Sequence, residues 1–218
     1  MNDAHRRRMD RIDRERVLIT DNAADFPKDS PVEKISVIIN AKAEKVLARD
    51  ADLAAAFGGK SQAVNVKGNH RDALLEKIRE IVLGGRAIGN GAVPGITAIL
   101  TMPEPRTDQN LIATAAAYFD KTETWEQQFI DVGLDADFRA ALIDAKNDFQ
   151  ISLDEADSET EKRGEAVGAL DALMHETMAL ARQRSAMLKL KYRDNPGKLA
   201  AWAIASHLES PPKKPKPA

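Results

Sequence analysis

The chain has no cysteine. That absence removes structural disulfides, thiolate nucleophiles, zinc knuckles and Cys-ligated iron–sulfur clusters together. Aromatic residues are also scarce, at 5% of the chain, which leaves few of the side chains that favour strands. No run approaches the ~20 apolar residues that a membrane helix needs. The opening Met1-Asn2-Asp3-Ala4-His5-Arg6-Arg7-Arg8 leads into Met9-Asp10-Arg11-Ile12-Asp13, where a secretory signal would place its apolar stretch, so a cytoplasmic location is expected. A formal charge of −2 gives no global reason to bind nucleic acid or acidic lipid.

What is abundant is alanine. The chain has 35 alanines among 218 residues, 43% hydrophobic residues and 30% charged ones. This favours helices with shallow faces that approach one another closely. A first helix over Asp3 to Asp21 alternates acid and base around sparse apolar positions, so it is expected to be weakly held. Ser30-Pro31-Val32-Glu33 then reads as an N-cap, a proline in the first turn and a capping-box glutamate. The apolar pattern from Ile35 to Phe57 is helical and is expected to stop at Gly58-Gly59.

A third pattern, from Gly68-Asn69, places Leu74, Ile78, Ile81 and Val82 on one stripe. It runs through Gly84, Gly85, Gly89 and Gly91 to Pro94-Gly95, and near Gly85 the helix either frays or approaches a neighbour closely. Residues 95–106 read as an extended linker. The fourth helix has Thr107 as its N-cap and a stripe from Leu111 to Ile130 that includes Tyr118 and Trp125. Gly133 and Leu134 fit a C′ glycine followed by an apolar C″ residue, so the next helix should fold back as a tight hairpin.

From Phe138 onward, Leu142, Ala145, Phe149, Ser152 and Ala156, and then Val167, Leu170, Met174, Thr177 and Ala181, recur at spacings of three and four. One continuous helix to about Tyr192, on the order of 85 Å, fits this spacing. A turn near Ser158 also fits, because Ser158-Glu159-Thr160-Glu161 has capping-box form. Asn195-Pro196-Gly197 ends the pattern, and a short helix over Lys198 to Leu208 carries Trp202.

The expected fold is therefore all-α, a bundle of long antiparallel helices with a central helical hairpin and mobile termini. Residues 1–29 would form a weakly held helix and loop, 30–208 the bundle domain and 209–218 a disordered basic Pro/Lys tail.

Motifs for chemistry do not assemble. His175-Glu176 opens like a zinc-protease helix, but Ala179 stands where the second histidine should be. No histidine has a glutamate three residues before it, as di-iron bundles require. Gly84-Gly85-Arg86-Ala87-Ile88-Gly89-Asn90-Gly91 follows a helical pattern where a phosphate-cradling loop would follow a strand. There is no Gly-x-Ser-x-Gly elbow. Met174, His175 and Met178 could in principle offer axial haem ligands within a bundle. No residue is nominated as catalytic, cofactor-binding or metal-ligating, and no cofactor is expected.

The one feature above background is segregated charge. Residues 135–161 carry nine acids and two bases, a local charge of −7, whereas 182–218 carry nine Lys/Arg against Asp194 and Glu209, a local charge of +7. Acids early and bases late in a helix complement its dipole. The same pattern would also serve contact with acidic partners, or head-to-tail association of acidic and basic ends. Candidate partner-contacting residues are Trp202, which would otherwise dock its helix on the bundle, and Lys213, Lys214 and Lys216.

Two segments carry a resemblance. Pro103-Glu104-Pro105-Arg106-Thr107-Asp108-Gln109-Asn110-Leu111 with Phe129-Ile130-Asp131-Val132-Gly133-Leu134, and Tyr192-Arg193-Asp194-Asn195-Pro196-Gly197-Lys198-Leu199-Ala200-Ala201-Trp202 before a basic Pro-rich tail, resemble a group of uncharacterised bacterial proteins of similar length. The resemblance covers mainly residues 103–218. It implies an all-helical fold and brings no activity or functional residues with it.

The functional expectation is a non-enzymatic interaction or structural protein that associates with itself. The alternatives are a sequence-independent nucleic-acid-associated protein using the basic C-terminal segment, or a haem- or metal-binding bundle.

Overall fold

The computed structural model describes residues 2–209. It is all-α, with no strand among the described residues. The helices are α1 (Asp3–Asp21), α2 (Pro31–Ala92), α3 (Ile96–Ile99), α4 (Asp108–Thr122), α5 (Glu126–Asp131), α6 (Phe138–Lys191) and α7 (Pro196–Ala205). Where the sequence suggests one bundle over 30–208, the chain forms two compact units. Among the described residues, the first holds 2–56 and 163–209, and the second holds Phe57–Lys162.

In the first unit, α2 and α6 run antiparallel. Ser36 lies opposite Arg184, and Lys42 opposite Glu176, so numbers rise along one helix as they fall along the other. Ile39, Val46, Leu170 and Met174 are buried between them, together with Met9 and Ile12 of α1. Each such side chain contributes roughly 1.5–3 kcal/mol on burial. A second cluster gathers Phe26, Val32, Leu188, Tyr192 and Trp202.

Helix α1 is built into this unit despite its few apolar positions. Its inner face is completed by polar residues, which an apolar count overlooks. Glu15 is fully buried; it accepts a hydrogen bond from Arg11 at 2.7 Å and forms an ion pair with the equally buried Arg184 at 2.6 Å. His5, also buried, lies 2.9 Å from Asp171.

The second unit is built around the predicted hairpin. Gly133 adopts φ 103°, a left-handed conformation that glycine tolerates best. Its N–H donates to the Ile130 carbonyl at 2.9 Å, and Leu134 N–H reaches back to Phe129 at 3.0 Å, the Schellman pattern expected of a C′ glycine. Phe129 and Phe138 then meet with ring centroids 5.3 Å apart. Leu74, Ile78, Leu111, Tyr118, Leu142 and Phe149 close the core from α2, α4 and α6. Thr107 caps α4 as expected, its hydroxyl accepting from Asn110 N–H at 3.3 Å.

Several boundaries differ from the sequence reading, among them that of the last helix, which starts at Pro196 with Asn195 as its cap and ends at Ala205. Gly58-Gly59 does not end α2, which continues to Ala92 with one departure from helical backbone, at Gly89. A glycine inside a helix costs about 1 kcal/mol, a penalty that tertiary packing overrides. Of the two readings offered for Gly85, close approach is the one the structure contains. A Cβ on Gly84 would lie 2.7 Å from the Phe129 ring, and one on Gly85 would lie 3.0 Å from Leu100.

Helix α6 is one element from Phe138 to Lys191. The capping-box letters near Ser158 do not start a new helix, since α6 runs on through them; Thr160 there turns its hydroxyl back to the Ala156 carbonyl at 2.9 Å, a bond compatible with a continuing helix. Finally, the stripe of the fourth helix is interrupted by a 3-10 turn at Glu123–Trp125, and the expected linker contains the single turn α3, with Ile96 and Leu100 buried.

Candidate interaction surface

In the second unit, α2 and α6 leave a groove between facing stripes. Gly59, Gln62, Ala63 and Val66 recur at intervals of three and one, as do Ile151, Asp154, Glu155, Ser158, Glu159 and Lys162, so each set occupies one face of its helix. The groove encloses about 680 Å³. Its apolar lining comes from Ala63, Val66 and Ile151, the last 57% exposed. Its rim carries Asp154, Glu155 and Glu159 against Lys162, a formal charge of −2.

The local geometry follows from glycine and charge. A Cβ at Gly59 would stand 2.6 Å from the Glu159 carboxylate, so the missing side chain lets Glu159 lie over α2. Lys162 holds that carboxylate at 2.6 Å, and the hydrogen bond raises the lysine above its ordinary value. Asp154 accepts a 3.1 Å hydrogen bond from the neutral Gln150 amide, which orients the carboxylate and leaves its charge in place. Glu155 is exposed. The groove can therefore offer apolar contact along its floor and negative charge along its edge.

A smaller depression of about 410 Å³ lies elsewhere in the same unit. It is lined by Leu83 and Val132, 54% and 39% exposed, with Asp135 and Asp137. There Lys77 is raised first by its hydrogen bond to Glu80 and further by both aspartates, so the acids already face a cation of the chain. Both depressions are lined on one side by residues of the acidic segment 135–161 and on the other by α2.

The structure places the sequence-nominated residues differently. Trp202 is fully buried, and its indole N–H donates to Ser185 Oγ at 3.0 Å. Its apolar rings complete the cluster around Leu188 and Tyr192, so it anchors α7 and presents no face to a partner. Lys213, Lys214 and Lys216 lie outside the described residues. Of the other bases in the positive segment, Arg184 is committed to Glu15, while Lys191 and Lys198 both reach Asp25, through its carbonyl and its carboxylate.

The haem-ligand trio is separated. Met174 and Met178 are buried, whereas His175 is exposed on another side of α6. Among the described residues there is no group of three or more His, Asp or Glu placed to hold a metal ion. No helix among them is long and apolar enough to cross a membrane.

The groove residues were not singled out from sequence. One signal was available. Ile151 falls off the Phe149–Ser152–Ala156 stripe, and so places a large apolar side chain on the acidic outer face of α6. Gly59 was hidden by its second meaning as a helix breaker. Comparison with protein families, curated proteins and solved structures finds no match to this chain.

Proposed function

We propose that the chain is a non-enzymatic helical interaction protein that associates with copies of itself in the bacterial cytoplasm, and that the groove between α2 and α6 of the second unit is its contact surface. The observation that carries the reading is Ile151, a large apolar side chain held 57% exposed inside an acidic rim, beside a core in which Phe149 is fully buried. Apolar surface framed by charge is the composition of a contact site: the floor supplies area and the rim supplies selectivity. Unlike a small-molecule pocket, which buries most of its ligand, this groove has exposed edges at Asp154 and Glu155 and suits an elongated partner.

Nucleic-acid association receives less support. The folded cations Arg184, Lys191 and Lys198 are each bonded to groups of the chain itself. Phosphate contact would therefore fall to the remaining bases, and the acidic groove would repel a polyanion.

The test is light scattering of the purified chain at micromolar concentration and low salt. Mass above that of one 23.9 kDa chain is expected, and Ile151→Lys should reduce it without loss of helical signal. A monomer at every concentration refutes the reading.

A further inference from the structure

This inference rests on the self-association reading and names the occupant. We infer that the groove receives the C-terminal segment Ser210-Pro211-Pro212-Lys213-Lys214-Pro215-Lys216-Pro217-Ala218 of a second copy of the chain. The segment carries three lysines, four prolines and no acid. It therefore matches the groove in both of its properties.

The charge match is direct. Asp154, Glu155 and Glu159 outnumber Lys162 along the rim by two, and Lys213, Lys214 and Lys216 bring three positive charges. Opposed charges of this kind set register and speed encounter more than they set affinity. The apolar match comes from proline, whose ring packs on aliphatic floors such as Ala63, Val66 and Ile151. A proline-rich segment also loses little conformational entropy on docking, because its backbone is already restricted.

The lengths agree as well. Ile151 to Lys162 spans eleven helical rises, or about 16 Å at 1.5 Å each. An extended proline-rich strand rises about 3.1 Å per residue, so five rises, or six residues, cover the same distance. Pro212 to Pro217 is six residues and contains all three lysines.

The root of the segment is fixed. Arg14 of α1 donates to the His207 carbonyl at 2.6 Å and pairs with Glu209 at 3.2 Å, so the tail leaves from a defined point on the first unit. Each copy thus presents one groove and one tail. That is a heterologous pairing, which closes as a reciprocal dimer or extends head to tail.

The experiment compares three proteins by sedimentation equilibrium across micromolar concentrations: the native chain, a chain lacking residues 210–218, and full-length Asp154→Lys/Glu155→Lys. Both altered residues are exposed, so the variant should keep its helical circular dichroism. Native chains should associate at low salt and dissociate at about 0.5 M salt, where the screening length falls to a few ångströms. Deletion or charge reversal should each weaken association by about tenfold or more.

The decisive arm mixes the two altered proteins. The deleted chain keeps a working groove and the reversed chain keeps a working tail, so the mixture should form a one-to-one complex that neither protein forms alone. If deletion leaves the association constant unchanged, the tail is not the occupant although self-association stands. If native chains stay monomeric, both readings fall. A tail that crosslinks to the groove equally well at all dilutions is bound within its own chain, which also overturns the inference.

Discussion

Replacing Gly84 with alanine tests whether close packing, rather than flexibility, keeps glycine in α2. Two effects oppose each other at this position. Alanine is favoured over glycine in a helix interior by about 1 kcal/mol, through backbone entropy. Against that, the new methyl would stand 2.7 Å and 2.9 Å from Phe129 ring carbons and 2.9 Å from a Leu134 methyl carbon. Phe129 is fully buried and held against Phe138, so its ring cannot swing clear as a surface side chain would. Overpacking of this kind costs about 1–3 kcal/mol.

The natural control is Gly68, in the same helix and the same unit, where an added Cβ meets nothing within 4 Å. Gly68→Ala should therefore stabilise by about 1 kcal/mol, and Gly84→Ala should destabilise by up to ~2 kcal/mol. The assay is urea unfolding followed by circular dichroism and by tryptophan fluorescence, with Trp125 reporting on the second unit. In thermal melts each kcal/mol is worth roughly 2–4 °C for a chain of this size. A Gly84→Ala protein that gains as much as Gly68→Ala would refute the close-approach argument. A double-mutant cycle with Phe129→Leu should show a coupling of about 0.5–3 kcal/mol, since the smaller side chain makes room for the methyl.

The buried ion pair predicts an asymmetry: Glu15→Gln, which leaves the Arg184 guanidinium buried with neutral acceptors and no opposing charge, should cost about 3–5 kcal/mol in urea unfolding. Arg184→Met should cost less, because Arg11 still pairs with Glu15 at 2.7 Å; equal losses would contradict this. Asp25 is held below its ordinary value of 3.8 first by the hydrogen bond from Lys198 and then by that from Tyr192. A lowered carboxylate stabilises above its ordinary value, so the stability gap between the native chain and Asp25→Asn should be full at neutral pH and should close as pH falls below 3.8, with Trp202 fluorescence as the signal. A gap independent of pH would remove Asp25 from the anchoring of α7. Tyr118 is raised above 10.0 by burial, so its stabilising contribution holds below that pH and is lost as pH rises through the folded value, which an ultraviolet titration reads directly. Tyr118→Phe should cost about 0.5–1.5 kcal/mol, the net worth of an ordinary hydrogen bond, because the exposed Thr101 can turn to water for the lost hydroxyl.

The helical architecture was legible because burial here follows period and little else. The stripe read from Phe138 through Leu142, Phe149, Ser152 and Ala156 to Leu170, Met174, Thr177 and Ala181 lies along the buried or half-buried face of α6, polar members included. The hairpin was legible for a different reason, since Gly133-Leu134 is a local motif whose hydrogen bonds close within six residues. What failed were positions where one letter has two physical meanings. Glycine marks the end of a helix or the place where a neighbour comes too near for a Cβ, and the difference lies in residues far along the chain, such as the buried Phe129 for Gly84. Capping letters are equally double, as Thr160 shows by bonding backward along a continuing helix.

Charge suffered the same ambiguity at larger scale. The +7 of residues 182–218 reads as one basic surface, yet Arg184 is consumed inside the first unit and Lys198 by Asp25, both through contacts more than 160 residues apart in sequence. The −7 of residues 135–161 keeps much of its charge at the surface, because Asp144, Asp148, Asp154, Glu155 and Glu161 face outward from α6. Segregation in the sequence thus becomes asymmetry in the fold. The positive segment is partly spent on holding helices together, whereas the negative one remains displayed around an apolar groove. That asymmetry follows from which charges the fold uses internally: Arg184 and Lys198 are held by Glu15 and Asp25, whereas Asp154 and Glu155 stay exposed beside the groove.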